Sequence, residues 1–258
     1  MFLAQKTPMP ERSSNVSLVA FYGDKPWLLS QLIKNIQDYL TRLPEFIPYQ
    51  IEQIHATVLG CEGWKTASGI ISKWFYQRRK EIRYLDGVGW VEYLQDHGFR
   101  SFDVYLGGYD RDRDYNFLSR HKHPYHRSFQ LQKVNETSYI PILIGWPQRK
   151  GLITQELDQL RRDAQRFNLL HKYHEQTDNI DNDFYLRLGT INSSLSAEAI
   201  AAVEHHVREA LRTRPSIKLS FSQDNLAFAQ YQDLSLALAT TKIISLREIT
   251  GEQLLKLY

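Results

Sequence analysis

The order of strand-like and helix-like segments constrains the fold of this chain more than any other sequence feature. Runs that alternate or are continuously apolar predict strands, and apolar residues spaced three and four apart predict helices. The first half reads as strand 17–22, helix 26–41, strand 51–59, helix 66–83 and strand 101–106. The second half reads as strand 139–145, helix 152–174, strand 184–191, helix 196–212 and strand 217–221. Five elements of matching type in matching order predict a duplicated α+β unit.

This order predicts one bilobal domain over 16–258, preceded by a loose polar arm over 1–15. The arm contains Pro8, Pro10 and a pair of serines, a composition typical of an unpacked terminus. Within the domain, the predicted parts are a first repeat over about 16–108, a polar loop over 109–128, a second repeat over about 139–231 and a C-terminal segment over 232–258. The last residues of that segment are expected to form a short helix.

Composition indicates an ordinary globular protein and excludes some functions. Of the 258 residues, 42% are hydrophobic and 24% are charged, which is enough apolar material for one large or two modest cores. The net charge of +3 is too balanced for a protein that coats nucleic acid, although it permits a local basic groove. The only cysteine is Cys61, so no intrachain disulfide is possible. No apolar run approaches the roughly 20 residues of a membrane helix, and no secretory signal is evident. We therefore expect a cytoplasmic protein without membrane contact.

Residues 51–60 form the predicted strand with the clearest chemical content. Successive side chains of a strand point to opposite faces, so His55 and Thr57 share one face while Ala56 and Val58 occupy the other. A histidine beside a hydroxyl can form a phosphate site, because imidazole exchanges protons near neutral pH. The alternative is a polar strand face without chemistry.

The duplication predicts which residues occupy the equivalent face of the second half. Phe184, Leu186 and Leu188 form the apolar side of strand 184–191, which leaves Tyr185 and Arg187 on the other side. A slip by one residue would bury both polar side chains, which is energetically unfavourable. Tyr185 and Arg187 are therefore the expected counterparts of His55 and Thr57.

With this pattern the chain resembles the 2H phosphoesterases, a superfamily that includes 2′,5′ RNA ligase-like proteins and cyclic phosphodiesterases. The resemblance covers about residues 16–231 in element order and, at motif level, the sequence His-Ala-Thr-Val-Leu-Gly over 55–60. It implies two pseudo-symmetric α+β lobes, with antiparallel-rich sheets flanked by helices, around a central cleft. Each lobe of that family contributes one His-x-Thr or His-x-Ser strand to the cleft.

The resemblance also implies roles for individual residues. His55 would be one of two catalytic histidines and Thr57 a phosphate-binding hydroxyl, acting on a nucleotide or RNA-end phosphodiester that is 2′,3′-cyclic or 2′,5′-linked. The second motif departs from the family pattern, because Tyr185 stands in place of histidine and Arg187 in place of the hydroxyl residue. A phenol donates a proton but is a poor base at neutral pH, whereas a guanidinium binds phosphate firmly. The second motif is thus expected to bind phosphate more readily than to catalyse.

A histidine-rich tract over 120–127 has some of the residues of a metal site but not their pattern. Histidines 121 and 123 point in opposite directions in an extended segment, and no acidic or cysteine ligand has characteristic spacing with them. We expect a loop that borders the cleft, and we predict no metal and no cofactor. Two further histidines, His171 and His174, are expected on the surface near the end of helix 152–174.

Three functions are compatible with these features. The chain is a phosphodiesterase that uses His55 as general acid or base, with Tyr185 or a loop histidine assisting the leaving group. Alternatively it is a degenerate phosphoesterase that senses a nucleotide or RNA without cleaving it. The third possibility is a structural subunit with a vestigial cleft that binds a protein partner not identifiable from the sequence.

Overall fold

The computed structural model describes residues 13–96 and 99–258. Its strands are β1 (Val16–Ala20), β2 (Phe46–Pro48), β3 (Ala56–Gly60), β4 (Gly63–Thr66), β5 (Gly69–Ser72), β6 (Phe102–Leu106), β7 (Phe129–Asn135), β8 (Ser138–Arg149), β9 (Leu152–Ile153), β10 (Phe184–Arg187), β11 (Gly189–Ile191), β12 (Ile217–Phe221), β13 (Leu226–Gln230) and β14 (Lys242–Ser245). Its α-helices are α1 (Trp27–Leu40), α2 (Gly87–Gln95), α3 (Pro124–Arg127), α4 (Glu156–Asp163), α5 (Ala197–Arg212) and α6 (Gly251–Leu255). The mixture of a large sheet with several helices makes this an α+β fold.

Most of the strands belong to one antiparallel sheet. Its main path runs β12-β6-β8-β10-β3-β1-β13-β14, and the strands β2, β7, β9 and β11 pair beside this path. The prediction of two separate sheets is therefore wrong at the level of hydrogen bonding, because β3 and β10 pair in the middle of the path. That junction is short, since Leu186 opposite Ala56 is its one registered pair within the described strands.

The two faces of the sheet bury different sets of side chains. In β1, Leu18 and Ala20 join the main hydrophobic core, whereas Val19 between them joins a smaller cluster. In β8, Leu143 belongs to the main core and its neighbours Ile142 and Ile144 belong to another small cluster. Because neighbouring residues of a strand face opposite sides, both small clusters lie on the face away from the main core.

The predicted helix over 66–83 is wrong. Residues 63–72 form the hairpin of β4 and β5, in which Trp64 pairs with Ile71, and a π-helix follows over Phe75–Arg79. Gly69 has a φ of +136°, a backbone conformation that the turn requires and that L side chains rarely adopt. Ile70 and Ile71 are both buried, so the hairpin is covered on both sides and its apolar spacing imitates that of a helix. The second helix of this half is α2, which begins further along the chain, at Gly87.

The predicted helix over 152–174 is much shorter in the structure. Helix α4 ends at Asp163 and is extended by one 3₁₀ turn to Phe167. Asn168 ends the turn in the left-handed conformation with a φ of +60°, a common role of asparagine at helix ends. The longest helix is α5, with 16 residues, and no helix in the described part of the chain is both long and apolar enough to cross a membrane.

The segments predicted to be irregular contain more structure than expected. The predicted arm falls mostly on residues 1–12, outside the described residues, but Ser14 forms an antiparallel bridge to Gly63. The polar loop over 109–128 contains helix α3 and buries Tyr109, Tyr115 and Arg127. Pro141 lies inside the sheet. It pairs with Leu131 of β7 on one side, and on the other side its carbonyl accepts a hydrogen bond from the N–H of Leu188. The predicted C-terminal helix is confirmed as α6.

Candidate functional site

The register between β3 and β10 brings the four predicted site residues together. Leu186 lies opposite Ala56 in an antiparallel pair, so one step in either direction places His55 across from Arg187 and Thr57 across from Tyr185. Cross-strand neighbours of this kind have Cβ atoms about 4.5–5.5 Å apart. Leu186 and Ala56 are buried in the main core. The four polar residues therefore share the opposite face, at the middle of the sheet.

A β-bulge in β3 decides which of its residues reach this face. The pairing with β1 shifts between Leu18 and Val19, so Ser17 lies opposite Gly60 and Val19 lies opposite Thr57. Val58 and Leu59 consequently are both buried, each 1% exposed, and the alternation resumes with Gly60 on the polar face. The bulge places Gly60 on the face of Thr57, opposite Ser17, which simple alternation from residue 57 does not predict.

Three of the four predicted residues line one cavity of about 40 Å³, a volume that suits a phosphoryl group better than a whole nucleotide. The lining residues are Ser17, Thr57, Gly60, Glu62, Trp74, His171, Lys172, Tyr173, Tyr185, Arg187, Tyr231, Leu234 and Leu236. A smaller adjoining cavity is lined by Arg120, Arg127, Gln132, Ile142, Tyr173, Tyr185 and Arg187. The shared residues join the two cavities into one groove, which we call the central groove. It carries four cationic side chains against one carboxylate.

His55 lines neither cavity of the central groove and is 7% exposed. The register of β3 with β10 places it beside the groove, across from Arg187. Its Nδ1 is 2.7 Å from the carbonyl oxygen of Gln53, which only accepts hydrogen bonds, so Nδ1 carries the proton and Nε2 is the basic nitrogen. Burial lowers the pKa of His55 to about 4, and the positive charges of Arg187 and Lys25 act in the same direction. The imidazole is therefore neutral at pH 7 and able to accept a proton.

Arg187 lies on β10 one residue from the pair Leu186–Ala56 that joins β10 to β3. The guanidinium donates a long hydrogen bond of 3.4 Å to the carbonyl of Leu234, in the loop after β13. The side chain of Gln53 also donates to this loop, at Ser235. Leu236 packs in one hydrophobic cluster with Val19 of β1 and with Tyr22. This loop, residues 232–241, contributes Leu234 and Leu236 to the lining of the larger cavity. It supplies a neutral partner where an anion would bind Arg187 more strongly.

A buried ionic network supports the floor of the central groove. Arg161, from α4, is 1% exposed and donates to the carbonyl oxygens of Thr57 and Val58 in β3. It also donates to the carbonyl oxygens of Asp181 and Asp183 and to the carboxylate of Asp181. Arg161 thus fixes the motif strand β3 to the chain that enters β10. Its positive charge, with that of Arg120 and the hydrogen bond of His171, holds the pKa of Asp181 below its usual range despite burial.

The expectation that His171 and His174 lie on the surface is wrong. They are 5% and 0% exposed, and their Nε2 atoms bond the carboxylates of Asp181 and Asp158 at 3.1 and 2.8 Å. Burial lowers the pKa of His171 well below its ordinary value. The two histidines anchor the segment His171–His174 from both ends, and its middle residues, Lys172 and Tyr173, line the central groove. The apolar spacing of residues 152–174 predicts a helix with these residues on its surface; Asn168 is the sequence signal that the helix ends earlier.

The predicted position of the histidine-rich tract beside the cleft agrees with the structure, although its arginines provide the contact. Arg120 and Arg127 line the smaller cavity and both form ion pairs with Asp183. His123 caps α3, accepting from the backbone of Tyr125, and its Nε2 hydrogen-bonds the carbonyl oxygen of Arg113. This arrangement uses His123 as a structural residue of the loop.

The far end of the larger cavity has a different character. Glu62 is buried and accepts hydrogen bonds from the indole of Trp74 at 2.6 Å and from Tyr231 at 3.4 Å. Gly60 makes room for this cluster, because a Cβ there would approach the Glu62 carboxylate to 2.4 Å, closer than real contacts allow. These residues give the larger cavity, which Arg187 and Lys172 also line, a fixed acidic wall at Glu62 that no sequence motif indicated.

A larger cavity, of about 300 Å³, lies elsewhere. It is formed between α1 and the end of α5, with Trp27, Leu28 and Leu211 among its mainly apolar lining. Size alone does not make it the functional site, since it gathers neither imidazole nor carboxylate and has Arg214 as its one charged residue. The central groove is therefore the candidate functional site.

Comparisons with known proteins give little further information. No family model matches the chain, and no curated protein is similar to it. It is similar to a solved structure described as TT0787 of Thermus thermophilus, with 9% sequence identity over 89% of this chain and 93% of that chain, at a TM-score of 0.38. A similarity of this extent assigns neither a family nor an activity.

The buried histidines make stability depend on pH. The unfolded chain binds protons on histidine below about pH 6.5, whereas the folded protein keeps His55 neutral down to about pH 4. Stability is therefore full above about pH 6.5 and falls as pH decreases toward 4, by up to about 1.4 kcal/mol per pH unit for each such histidine. Urea unfolding at pH 7, 6 and 5 measures this slope. We expect the loss of stability per pH unit to be smaller in His55→Gln and in His171→Gln than in the wild-type protein. If both variants lose stability as steeply as the wild type, these histidines are not the cause of the pH dependence.

Proposed function

We propose that this protein is a 2H phosphoesterase-like enzyme that binds a nucleotide or RNA-end phosphodiester in the central groove and hydrolyses it. One observation carries the proposal: His55, Thr57, Tyr185 and Arg187 share one face where β3 meets β10. A neutral imidazole, a hydroxyl and a guanidinium at that spacing are what attack on a phosphate requires, namely a base and a group that neutralises charge. The substrates we propose are 2′,3′-cyclic and 2′,5′-linked phosphodiesters.

The strand order supports the finer architecture that belongs to this proposal. On the main path, β12, β6, β8 and β10 lie on one side of the junction, and β3, β1, β13 and β14 lie on the other. We interpret these two sets of four strands as the lobes of a duplicated fold. The lobes are not the contiguous repeats 16–108 and 139–231, because β6 pairs with β12 and β8 while β13 pairs with β1. In this interpretation β3 and β10 are equivalent strands related by an approximate two-fold axis. In this interpretation, the proposed phosphate site lies where the two lobes meet.

Each residue has a distinct role in the proposed reaction. Nε2 of His55 accepts the proton of the attacking water. Arg187 and Lys172 stabilise the negative charge that develops on the phosphoryl oxygens, and Thr57 donates a hydrogen bond to one of them. One N–H of Arg187 donates to the Leu234 carbonyl at 3.4 Å, and the guanidinium has further N–H donors to offer to a phosphate oxygen. A hydrogen bond between these charged groups is stronger than the one to the neutral carbonyl.

A second candidate function is phosphate binding without turnover. It is favoured by the occupants of the second motif, because Tyr185 and Arg187 provide hydrogen bonding and charge but no second imidazole on this face. The nearby His171 has its Nε2 engaged with Asp181. Under this alternative, the protein senses a nucleotide or an RNA end and releases it unchanged.

The test combines turnover and binding with one pair of variants. The wild-type protein is assayed against four nucleoside 2′,3′-cyclic phosphates and 2′,5′-linked dinucleotides, and binding of the monophosphate products is measured by calorimetry. We expect Arg187→Ala to weaken product binding about 10- to 100-fold, because it removes a charged hydrogen bond to phosphate. Arg149→Ala is the matched control, since Arg149 has a 76% exposed side chain and lies outside the groove.

The outcomes separate the three functions. Turnover together with the Arg187 effect supports the enzyme. Binding with the Arg187 effect but without turnover supports the sensor. If no nucleotide is bound or cleaved, the phosphate proposal is wrong and a structural role with a protein partner is the remaining explanation.

A further inference from the structure

We infer that Tyr173 is the proton donor to the leaving group, supplying the acid that the second motif lacks; this inference rests on the proposed hydrolase function. Tyr173 lines both cavities of the central groove, and so do Tyr185 and Arg187. Its ring therefore lies where the two cavities meet, next to the phosphate-binding cation. A proton donor must reach the leaving oxygen of the bound phosphodiester. A residue that lines both cavities lies beside a phosphodiester bound in the groove.

The fold holds Tyr173 in place through its neighbours. His171 bonds Asp181 and His174 bonds Asp158, so the two residues that bracket Lys172 and Tyr173 are fixed to buried carboxylates. The carbonyl of His174 accepts a further hydrogen bond from Arg79 at 2.9 Å. Anchors on both sides limit the positions of a half-buried side chain between them. Such preorganisation is what proton transfer to a defined leaving oxygen needs.

Two cations lie against the Tyr173 ring. The guanidinium carbon of Arg120 is 4.0 Å from the ring centroid and the ammonium of Lys172 is 4.8 Å from it. Burial alone would raise the pKa of the phenol, but the charges of Lys172 and Arg120 outweigh it and lower the pKa. The same charges stabilise the phenolate that remains after the proton has been donated. Arg120, which lies outside the two motif strands, thus acts in the groove by stabilising the Tyr173 phenolate.

Tyr185 is the alternative donor, because it occupies the motif position. Among the described residues, no cation lies over the Tyr185 ring, and this side chain packs with the apolar cluster of Ile142, Ile144 and Trp146. Tyr185 thus packs against apolar side chains and shapes the groove, whereas Tyr173 lies against two cations that stabilise its deprotonated form. The geometry assigns positioning to the first and proton donation to the second.

The reaction step balances as a simple hydrolysis. Water oxygen forms a bond to phosphorus while Nε2 of His55 takes one of its protons. The bond between phosphorus and the leaving oxygen breaks, its electron pair stays on that oxygen, and the oxygen takes the proton of the Tyr173 hydroxyl. Solvent then returns a proton to the phenolate and removes one from the imidazolium. The only co-reactant is water.

The test compares Tyr173→Phe on two substrates that differ in their need for an acid. A nucleoside 2′,3′-cyclic phosphate releases a ribose alkoxide, which needs a proton, whereas a p-nitrophenyl phosphodiester releases a stable phenolate, which does not. We expect Tyr173→Phe to reduce kcat about 10²- to 10³-fold on the cyclic phosphate and to leave turnover of the p-nitrophenyl ester nearly unchanged. Tyr185→Phe is the comparison and should affect both substrates alike. Circular dichroism and binding of the nucleotide product show whether each variant is folded.

Each remaining outcome overturns a defined statement. Equal losses on both substrates with Tyr173→Phe make Tyr173 a positioning residue, and no loss on the cyclic phosphate removes it from the mechanism, while the hydrolase proposal stands in either case. If the wild-type protein cleaves neither substrate, the hydrolase proposal fails and the role of Tyr173 fails with it.

Discussion

Replacing His55 with alanine is expected to lower kcat on a 2′,3′-cyclic phosphodiester about 10²- to 10⁴-fold, the usual effect of removing a general base. The physical reason is that the other imidazole lining the larger cavity, that of His171, has its Nε2 bonded to Asp181 and its Nδ1 buried. Because burial lowers the pKa of His55 to about 4, the basic form is lost only as pH falls through that value. The acidic limb of kcat/KM in the wild-type protein should therefore lie near pH 4, well below the ordinary histidine value.

A second variant distinguishes lost chemistry from lost structure. His55→Asn offers an amide that can donate to the Gln53 carbonyl, as Nδ1 does at 2.7 Å, but it has no base. We expect this variant to remain folded and to lose as much activity as His55→Ala. His205→Asn, an exposed change on α5, should be fully active. Retained activity in His55→Asn would remove His55 from the proposed mechanism.

Replacing Arg161 with methionine is expected to reduce the free energy of unfolding by about 3–5 kcal/mol, which is typical of breaking a buried ionic network by removing one partner. The change leaves the Asp181 carboxylate with less charge compensation. It also leaves the buried carbonyl oxygens of Thr57, Val58 and Asp183 without the donors that they now have. Urea denaturation at pH 7 measures the loss, and nucleotide binding should weaken because β3 is no longer fixed to the segment before β10.

Arg166→Met is the matched control for Arg161. Arg166 follows α4 in the same segment, is exposed, and lies over the rings of Tyr93 and Phe167. Its replacement should cost less than about 1 kcal/mol. Similar losses in the two variants would mean that the network under the groove contributes nothing beyond ordinary helix surface contacts.

The predictions from sequence that agree with the structure concern the motif strands. Residues 55–57 and 184–188 alternate, so the burial of Ala56, Leu186 and Leu188, and the opposite orientation of Thr57 and Arg187, follow from the two-residue period of a strand. That period leaves no freedom in the assignment, because a slip by one residue would bury charge. Sequence also identified α1 and α5, whose apolar stripes have the helical spacing and whose boundaries agree within a few residues.

The failures share one physical cause, which is that long-range contacts compete with local pattern. The hairpin over 63–72 is apolar on both sides because it is packed on both sides, so its spacing imitates a helix. The segment over 164–174 leaves the helix because Asn168 reverses the backbone and because Asp158 and Asp181 bind the two histidines. Aspartates 158 and 181 lie 16 and 10 residues away from their histidines in the sequence, and no period of a local element connects them.

The sequence by itself determined the faces of β3 and β10 and hence the four residues of the candidate site. Only the tertiary structure decided that these strands are neighbours, since the pairing of Leu186 with Ala56 joins residues 130 positions apart. It also decided which other side chains surround the site: the wall at Glu62, the loop 232–241, and Tyr173 between Arg120 and Lys172. Local pattern fixes orientation because it depends on backbone geometry. Proximity depends on how the whole chain buries its apolar surface, and no single segment contains that information.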